Sequence, residues 1–372
     1  MNLKRNGALL GLFAAGALTL AACGSDNNAG SVEVDADASG ATCEGKANLS
    51  GAGSSAQKNA MDNFVSTYIA VCNEKGSTVN VAYNPSGSGD GRTQFIASQI
   101  DFAGSDSGIE GEQAALAAER CAGNPAWNLP LVFGPVALAY NLEGVDNLVV
   151  DGEVAAKIFN GQITTWNDPA IVALNEGVEL PDTPITAIVR SDSSGTTDNF
   201  QQYLEAASNG AWTTGAGSDF TGGIGEGAKG SAGVAQAVSG SPGSITYVEL
   251  SFAEQNGLSI ASIDTGNGPV ELTAESAAAA IDGAEFASAG GGDLTLDLTS
   301  IFGTDAEGAY PLVLATYEIV CSGGYDADTG AAIKSFLTSA ANEGQEGLEE
   351  IGYVPLPDSF KTQLTESIDA IA

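Results

Sequence analysis

ANLSGAGSSAQKNAMDNFVSTYIAVC, Ala47 to Cys72, sets the fold class. A short strand ending near Ser50 runs into a turn carrying Gly51 and Gly53. Apolar Met61, Phe64, Val65, Tyr68, Ile69 and Cys72 then recur at i, i+3, i+4, i+7, i+8 and i+11, which lays one apolar stripe along a helix. The same order returns in VNVAYNPSGSGDGRTQFIASQIDFAGSDSG, residues 79–108. There a strand over Val79 to Tyr83 leads through a glycine-serine turn to a helix with Phe95 and Ile96, and a further strand closes at Ser105 and Asp106. It returns again where strand-like ITAIV, 185–189, passes through RSDSSGTT, 190–197, into a helix whose Phe200, Tyr203, Leu204 and Ala207 share a face. Strands alternating with helices make an α/β protein.

Length and charge narrow the possibilities. A chain of 372 residues exceeds what one core usually organises, and 43% hydrophobic content is ordinary for a globular protein, so two lobes are expected. Forty-seven acidic residues against 12 basic ones leave a formal charge of −35. That balance excludes nucleic acid as a partner and electrostatic docking to an anionic bilayer, since both need clustered Lys and Arg. The chain contains no histidine, which removes a Ser-His-Asp triad and a His-ligated zinc or iron centre.

The N-terminus places Lys4 and Arg5 before an apolar run from Ala8 to Ala22. A basic segment followed by a run shorter than the roughly 20 residues of a spanning helix reads as an export signal over 1–22. Leu20-Ala21-Ala22-Cys23 resembles a bacterial lipobox, which implies lipidation of Cys23. The polar, acidic stretch that follows is poor in groups able to bury surface and reads, through 46, as a tether.

Turns between strand and helix are where open α/β sheets bind ligands, because helix N-termini there present unpaired N–H groups and partial positive charge. Glycine lets the backbone approach an anion, and serine or threonine hydroxyls add donors. Arg190, at the head of RSDSSGTT in a base-poor chain, supplies a planar fork suited to a tetrahedral oxyanion. Asp90 and Arg92 read instead as a solvated first helical turn.

GAGSSAQ, SGSGDGRTQF, DFAGSD, RSDSSGTT and SGSPGSITYVELSFA, in this order and spacing, together with IFNGQITTWNDPAI at 158–171, resemble the substrate-binding proteins of bacterial phosphate ABC importers, the PstS family. The resemblance runs from about Asn48 to about Pro357 and is weakest in the tether and around 284–293. It implies a two-lobed, Venus-flytrap fold of the type II kind, with two crossover strands as hinge in LPLVFGPVALAYN and YPLVLATYEIV. Lobe one is expected from 47–135 plus 305–372, and lobe two from 136–304. Carried over residue by residue, the implied phosphate contacts are Ser55, Ala56, Ser88, Asp106, Arg190, Ser194, Gly195 and Thr196, with Asp192 pairing with and orienting the arginine. One departure is visible: Ser55-Ala56 stands where many relatives have Thr-Phe, so a backbone N–H survives there and an aromatic wall does not.

The implied function is extracytoplasmic capture of inorganic phosphate by a lipid-anchored monomer and its delivery to membrane permease subunits, without cofactor or catalysis. A binding protein for sulfate or molybdate is the nearest alternative. A secreted phosphatase, working through a Ser-Lys dyad or an all-carboxylate metal site, is the enzymatic one. Cys43, Cys72, Cys121 and Cys321 form an even set in an exported chain, with three possible pairings and no metal-ligand spacing. Cys43 precedes the first strand and Cys72 ends the helix running back along it, so these two are expected to pair, leaving Cys121 for Cys321.

Overall fold

The computed structural model describes residues 40–282, 284–287, 291–304 and 306–372. The expected export signal, Cys23 and the expected tether as far as residue 39 lie outside the described residues. In chain order the strands are β1 (Asn48–Gly53), β2 (Asn80–Asn84), β3 (Phe102–Ser105), β4 (Ala126–Asn141), β5 (Val149–Asp151), β6 (Thr186–Arg190), β7 (Glu226–Ala228), β8 (Ser244–Glu249), β9 (Ser259–Ile260), β10 (Ser262–Asp264), β11 (Pro269–Val270), β12 (Glu285–Phe286), β13 (Leu296–Asp297) and β14 (Val313–Cys321).

One mixed sheet carries the order β2-β1-β3-β14-β4-β8-β6-β7, with β9 also on β4. β1 pairs in parallel with β2 and β3, and β6 in parallel with β7 and β8. Between these parallel groups run two long strands in antiparallel contact, β4 and β14. β4 lies against β14 from Ala126 to Pro135, then against β8 from Val136 to Asn141. Every residue of β14, and all of β4 but its two ends, is buried. A strand covered on both faces reads as a continuous apolar run, which is why PLVFGPVALAY lacks the alternation of a half-exposed strand.

The helix Lys58–Glu74 buries Ala60, Met61, Phe64, Thr67, Tyr68, Val71 and Cys72. The buried stripe is therefore rotated slightly from the expected one: Val65 and Ile69 sit half-buried at its margin. Packing of Tyr68 edge-on to Phe336, from the helix Ala327–Ala341, turns the face that way. Cys43 is bonded to Cys72 and Cys121 to Cys321, with Cα atoms 5.5 and 5.3 Å apart. The second bridge ties the end of β14 to the segment leading into β4, both at one end of the antiparallel pair.

Candidate anion-binding site

The turns that follow β1, β3 and β6 converge. Gly53, with φ +143°, ends β1 so close to β3 that a Cβ would lie 1.9 Å from the Gly104 carbonyl oxygen. That approach brings the serines after β1 up to Asp106, the residue after β3. Asp106 is 2% exposed and surrounded by hydroxyls. Its Oδ1 accepts from Ser54 Oγ at 2.5 Å and from Thr316 Oγ1 of β14 at 3.2 Å. Its Oδ2 meets longer contacts, Ser88 Oγ at 3.4 Å and Thr196 Oγ1 at 3.3 Å. One oxygen is thus tied to the sheet, and the other faces the heads of the helices Ser88–Ile96 and Gly195–Ala207.

Arg190, 4% exposed, ends β6. Its Nε and Nη2 donate to the two oxygens of Asp192 at 2.8 and 2.5 Å, and Gly230 N–H donates to Asp192 at 2.9 Å. The guanidinium edge left over is the Nη1 side, which reaches Thr196 Oγ1 at 3.4 Å. Tyr247 places the arginine's backbone: its hydroxyl accepts from Arg190 N–H at 3.2 Å and bonds Thr197 Oγ1 at 2.8 Å. The tyrosine ring stacks on Phe200 at 4.3 Å, and Phe159 packs edge-on to Phe200 at 4.8 Å. The conspicuous motifs at 158–171 and 239–253 are therefore supports for Arg190 and the helix beside it. Trp166 links the two motifs directly, donating from its indole N–H to the Gly243 carbonyl at 3.0 Å.

Ser194 caps the helix Gly195–Ala207, accepting from Thr197 N–H at 3.2 Å. Gly195 and Thr196 occupy the first turn, whose N–H groups have no partner inside a helix. Gly195 has no room for a side chain, since a Cβ would lie 2.6 Å from Asp106 Cβ and 2.8 Å from Ser88 Oγ. Asn199 holds that contact shut, donating to the Asp106 carbonyl at 2.7 Å and to the Gly195 carbonyl at 2.9 Å.

Charges here are set by burial against local partners. Burial raises the Asp106 carboxyl above its ordinary range, while Ser54, the Arg190 charge, Thr316 and Thr196 pull it back. Burial also opposes charge on Asp192, but the bonds and charge of Arg190 outweigh it and hold that carboxyl below its usual range. Glu318, fully buried on β14, is driven well above the carboxylate range, chiefly by burial.

Residues 32–341 match the PBP superfamily domain. Over a 376-residue alignment spanning 100% of both chains, the sequence is 50% identical to Phosphate-binding protein PstS 3 of Mycobacterium tuberculosis. It is 33% identical to Phosphate-binding protein PstS of Xylella fastidiosa, across 94% of this chain and 93% of that one. This chain belongs to the PstS family of phosphate-binding proteins. Solved structures share the fold. A high-affinity periplasmic phosphate-binding protein with bound phosphate aligns at TM-score 0.66 and 23% identity, covering 86% of this chain and 93% of that one. A phosphate-binding protein from Stenotrophomonas maltophilia aligns at 0.63 and 18%, covering 86% and 94%.

Within this PstS chain the structure brings Ser88, Asp106, Arg190, Thr196 and Asp192 together, and sets Ser194 and Gly195 at the adjoining helix head. Ser55 turns elsewhere: its Oγ meets Ser231 Oγ at 3.1 Å and accepts from Ser231 N–H at 2.9 Å. Ala56 directs its N–H to Ser54 Oγ at 3.1 Å. Ser54, Thr316 and Asn199 escaped the sequence reading; only Ser54, inside GAGSSAQ, carried a signal. Arg92 corrects that reading outright. It is 6% exposed rather than solvated, bonded through Nε to Gln113 Oε1, Nη1 to Ser105 Oγ and Nη2 to Ser218 Oγ.

Proposed function

We propose that this protein captures inorganic phosphate between two lobes and presents it to the permease of an ABC importer at the extracytoplasmic face of the membrane. One observation carries the reading. A buried carboxylate oxygen, Asp106 Oδ2, stands with hydroxyls and a fixed guanidinium edge around one point. Such a set takes an anion that both accepts and donates hydrogen bonds. The Nη1 edge of Arg190, the hydroxyls of Ser88 and Thr196 and the first-turn N–H groups of Gly195 and Thr196 serve the anion's oxygens, and Asp106 Oδ2 accepts a hydrogen bond from its protonated oxygen. Ser194 adds its hydroxyl at the rim, while Ser55 and Ala56, the other contacts the family resemblance implies, are engaged with Ser231 and Ser54.

Lobe one is 47–135 with 305–372 and lobe two is 136–304; the division falls where β4 changes partner from β14 to β8. Closure excludes water, so each polar contact counts for more than in solvent. It also requires the anion to favour the closed state over the open one. Titration calorimetry of the full chain against phosphate, sulfate and molybdate tests the assignment. Heat from phosphate alone supports it, and a preference for either other anion defeats it. Steady turnover of a phosphate ester would favour a phosphatase instead.

No helix among the described residues is long and apolar enough to cross a membrane. Anchoring is assigned to Cys23, supported by the lipobox-like Leu20-Ala21-Ala22-Cys23. A single acyl chain holds a protein only marginally, whereas several hold it firmly. Cys23→Ala is expected to move the protein from the membrane fraction to the soluble one. Equal partitioning of wild type and variant would show that the anchor lies elsewhere. A monomer suffices for this reading, since the residues gathered around Asp106 all come from one chain.

A further inference from the structure

We propose that Arg92 is a closed-state latch: a positioning residue, outside the anion's own contacts, that sets how long the cleft retains its ligand. The inference rests on the phosphate-binding reading and adds a residue to it. Arg92 sits in the helix Ser88–Ile96, and two of its three hydrogen bonds stay on its own side of the cleft. Nε donates to Gln113 Oε1 at 3.0 Å, in the helix Gly111–Arg120, and Nη1 to Ser105 Oγ at 2.8 Å, beside Asp106. The third crosses: Nη2 donates to Ser218 Oγ at 3.0 Å.

Ser218 is not an incidental acceptor. Its carbonyl accepts the Ser194 N–H at 2.8 Å, and Ser194 caps the helix that heads the anion site. Pulling Ser218 toward Arg92 therefore holds the Ser194–Gly195–Thr196 turn against Asp106. Gln113 and Ser105 would keep the guanidinium aimed when the cleft opens, because both move with it. Little side-chain freedom is then lost on closing, and the crossing bond is gained almost whole. A bond from a charged donor in a nearly dry site is stronger than one between neutral partners. The other crossing contacts near it lack a cationic donor: Gly89 N–H to the Ser193 carbonyl at 3.1 Å, Ser107 Oγ to Asp198 at 2.6 Å, and Asn199 to the Asp106 carbonyl at 2.7 Å.

A bond made only in the closed state slows opening and leaves the encounter of anion with open cleft unchanged. Ser218→Ala isolates it, since the arginine, its charge and its two anchors remain. The full chain is loaded with radiolabelled inorganic phosphate and chased with unlabelled phosphate. Release from Ser218→Ala is expected to be about 10- to 100-fold faster than from wild type, the worth of one charge-assisted hydrogen bond. Association should stay within about threefold of wild type. Arg92→Lys should be intermediate, and Ser218→Ala should add nothing to release in an Arg92→Met background. The preference for phosphate over sulfate should not move. If Ser218→Ala releases phosphate at the wild-type rate, or adds its full effect on top of Arg92→Met, the latch is refuted while the phosphate site stands. If wild type itself retains no phosphate, the functional assignment falls and takes the latch with it.

Discussion

Phosphate is expected to outbind sulfate by ~10⁴-fold or more, because Asp106 places a carboxylate where the two anions differ only by a proton. Near neutral pH phosphate retains at least one hydrogen and sulfate has none. To hydrogenphosphate, Oδ2 offers a charge-assisted acceptor; to sulfate it offers one acceptor facing another, with nothing between them. The longer contacts at Oδ2, 3.3 and 3.4 Å against 2.5 Å at Oδ1 from Ser54, mark it as the oxygen that can exchange partners. Asp106→Asn should weaken phosphate modestly and raise the relative affinity for sulfate. Competition calorimetry decides this, and sulfate binding within tenfold of phosphate in wild type would overturn both the role of Asp106 and the phosphate assignment.

Acid should erode the same preference. Burial raises the Asp106 carboxyl, so the folded protein takes up that proton at a higher pH than the unfolded chain does. As pH falls through the raised value, the carboxyl becomes a donor and sulfate ceases to be rejected. Over the same window this group alone makes folding more favourable as pH falls, because the folded state binds more protons. A loss of selectivity at acid pH without unfolding is therefore the expected pattern.

Arg190→Ala should cost ~2 to 5 kcal/mol of phosphate binding, the range for removing one partner of a buried charged pair. That is a loss of roughly 30- to several thousand-fold in affinity. Asp192 already occupies Nε and one hydrogen of Nη2, so an anion bound there would meet the guanidinium end-on. Arg190→Lys should recover only part of the affinity, since a single ammonium cannot serve Asp192 and the anion with the same fixed geometry. Circular dichroism should show the fold retained, because Tyr247 still packs on Phe200. A folded Arg190→Ala protein that binds phosphate as wild type does would place the anion elsewhere.

Alternating strands and helices, the glycine-serine turns and the two apolar runs at β4 and β14 are local patterns, and the chain states them directly. Arg190 stood out because cations are scarce. The pairing of Cys43 with Cys72 followed from a strand and the helix returning along it. What the chain alone could not show was which hydroxyl faces which oxygen. Ser54, Ser55 and Ala56 are neighbours in one turn, and only the approach of Gly53 to Gly104 turns Ser54 to Asp106 and leaves Ser55 for Ser231. Thr316 lies 210 residues from Asp106 and joins it solely because β14 returns beside β3. Arg92 makes the same point most sharply. As a charged residue in a polar turn it carries the pattern of a solvated surface, yet it is buried among Gln113, Ser105 and Ser218, the last of them 126 residues away. Local sequence determines elements and their caps because those interactions span a few residues; side-chain partners across a cleft are decided by the packing of elements far apart in the chain.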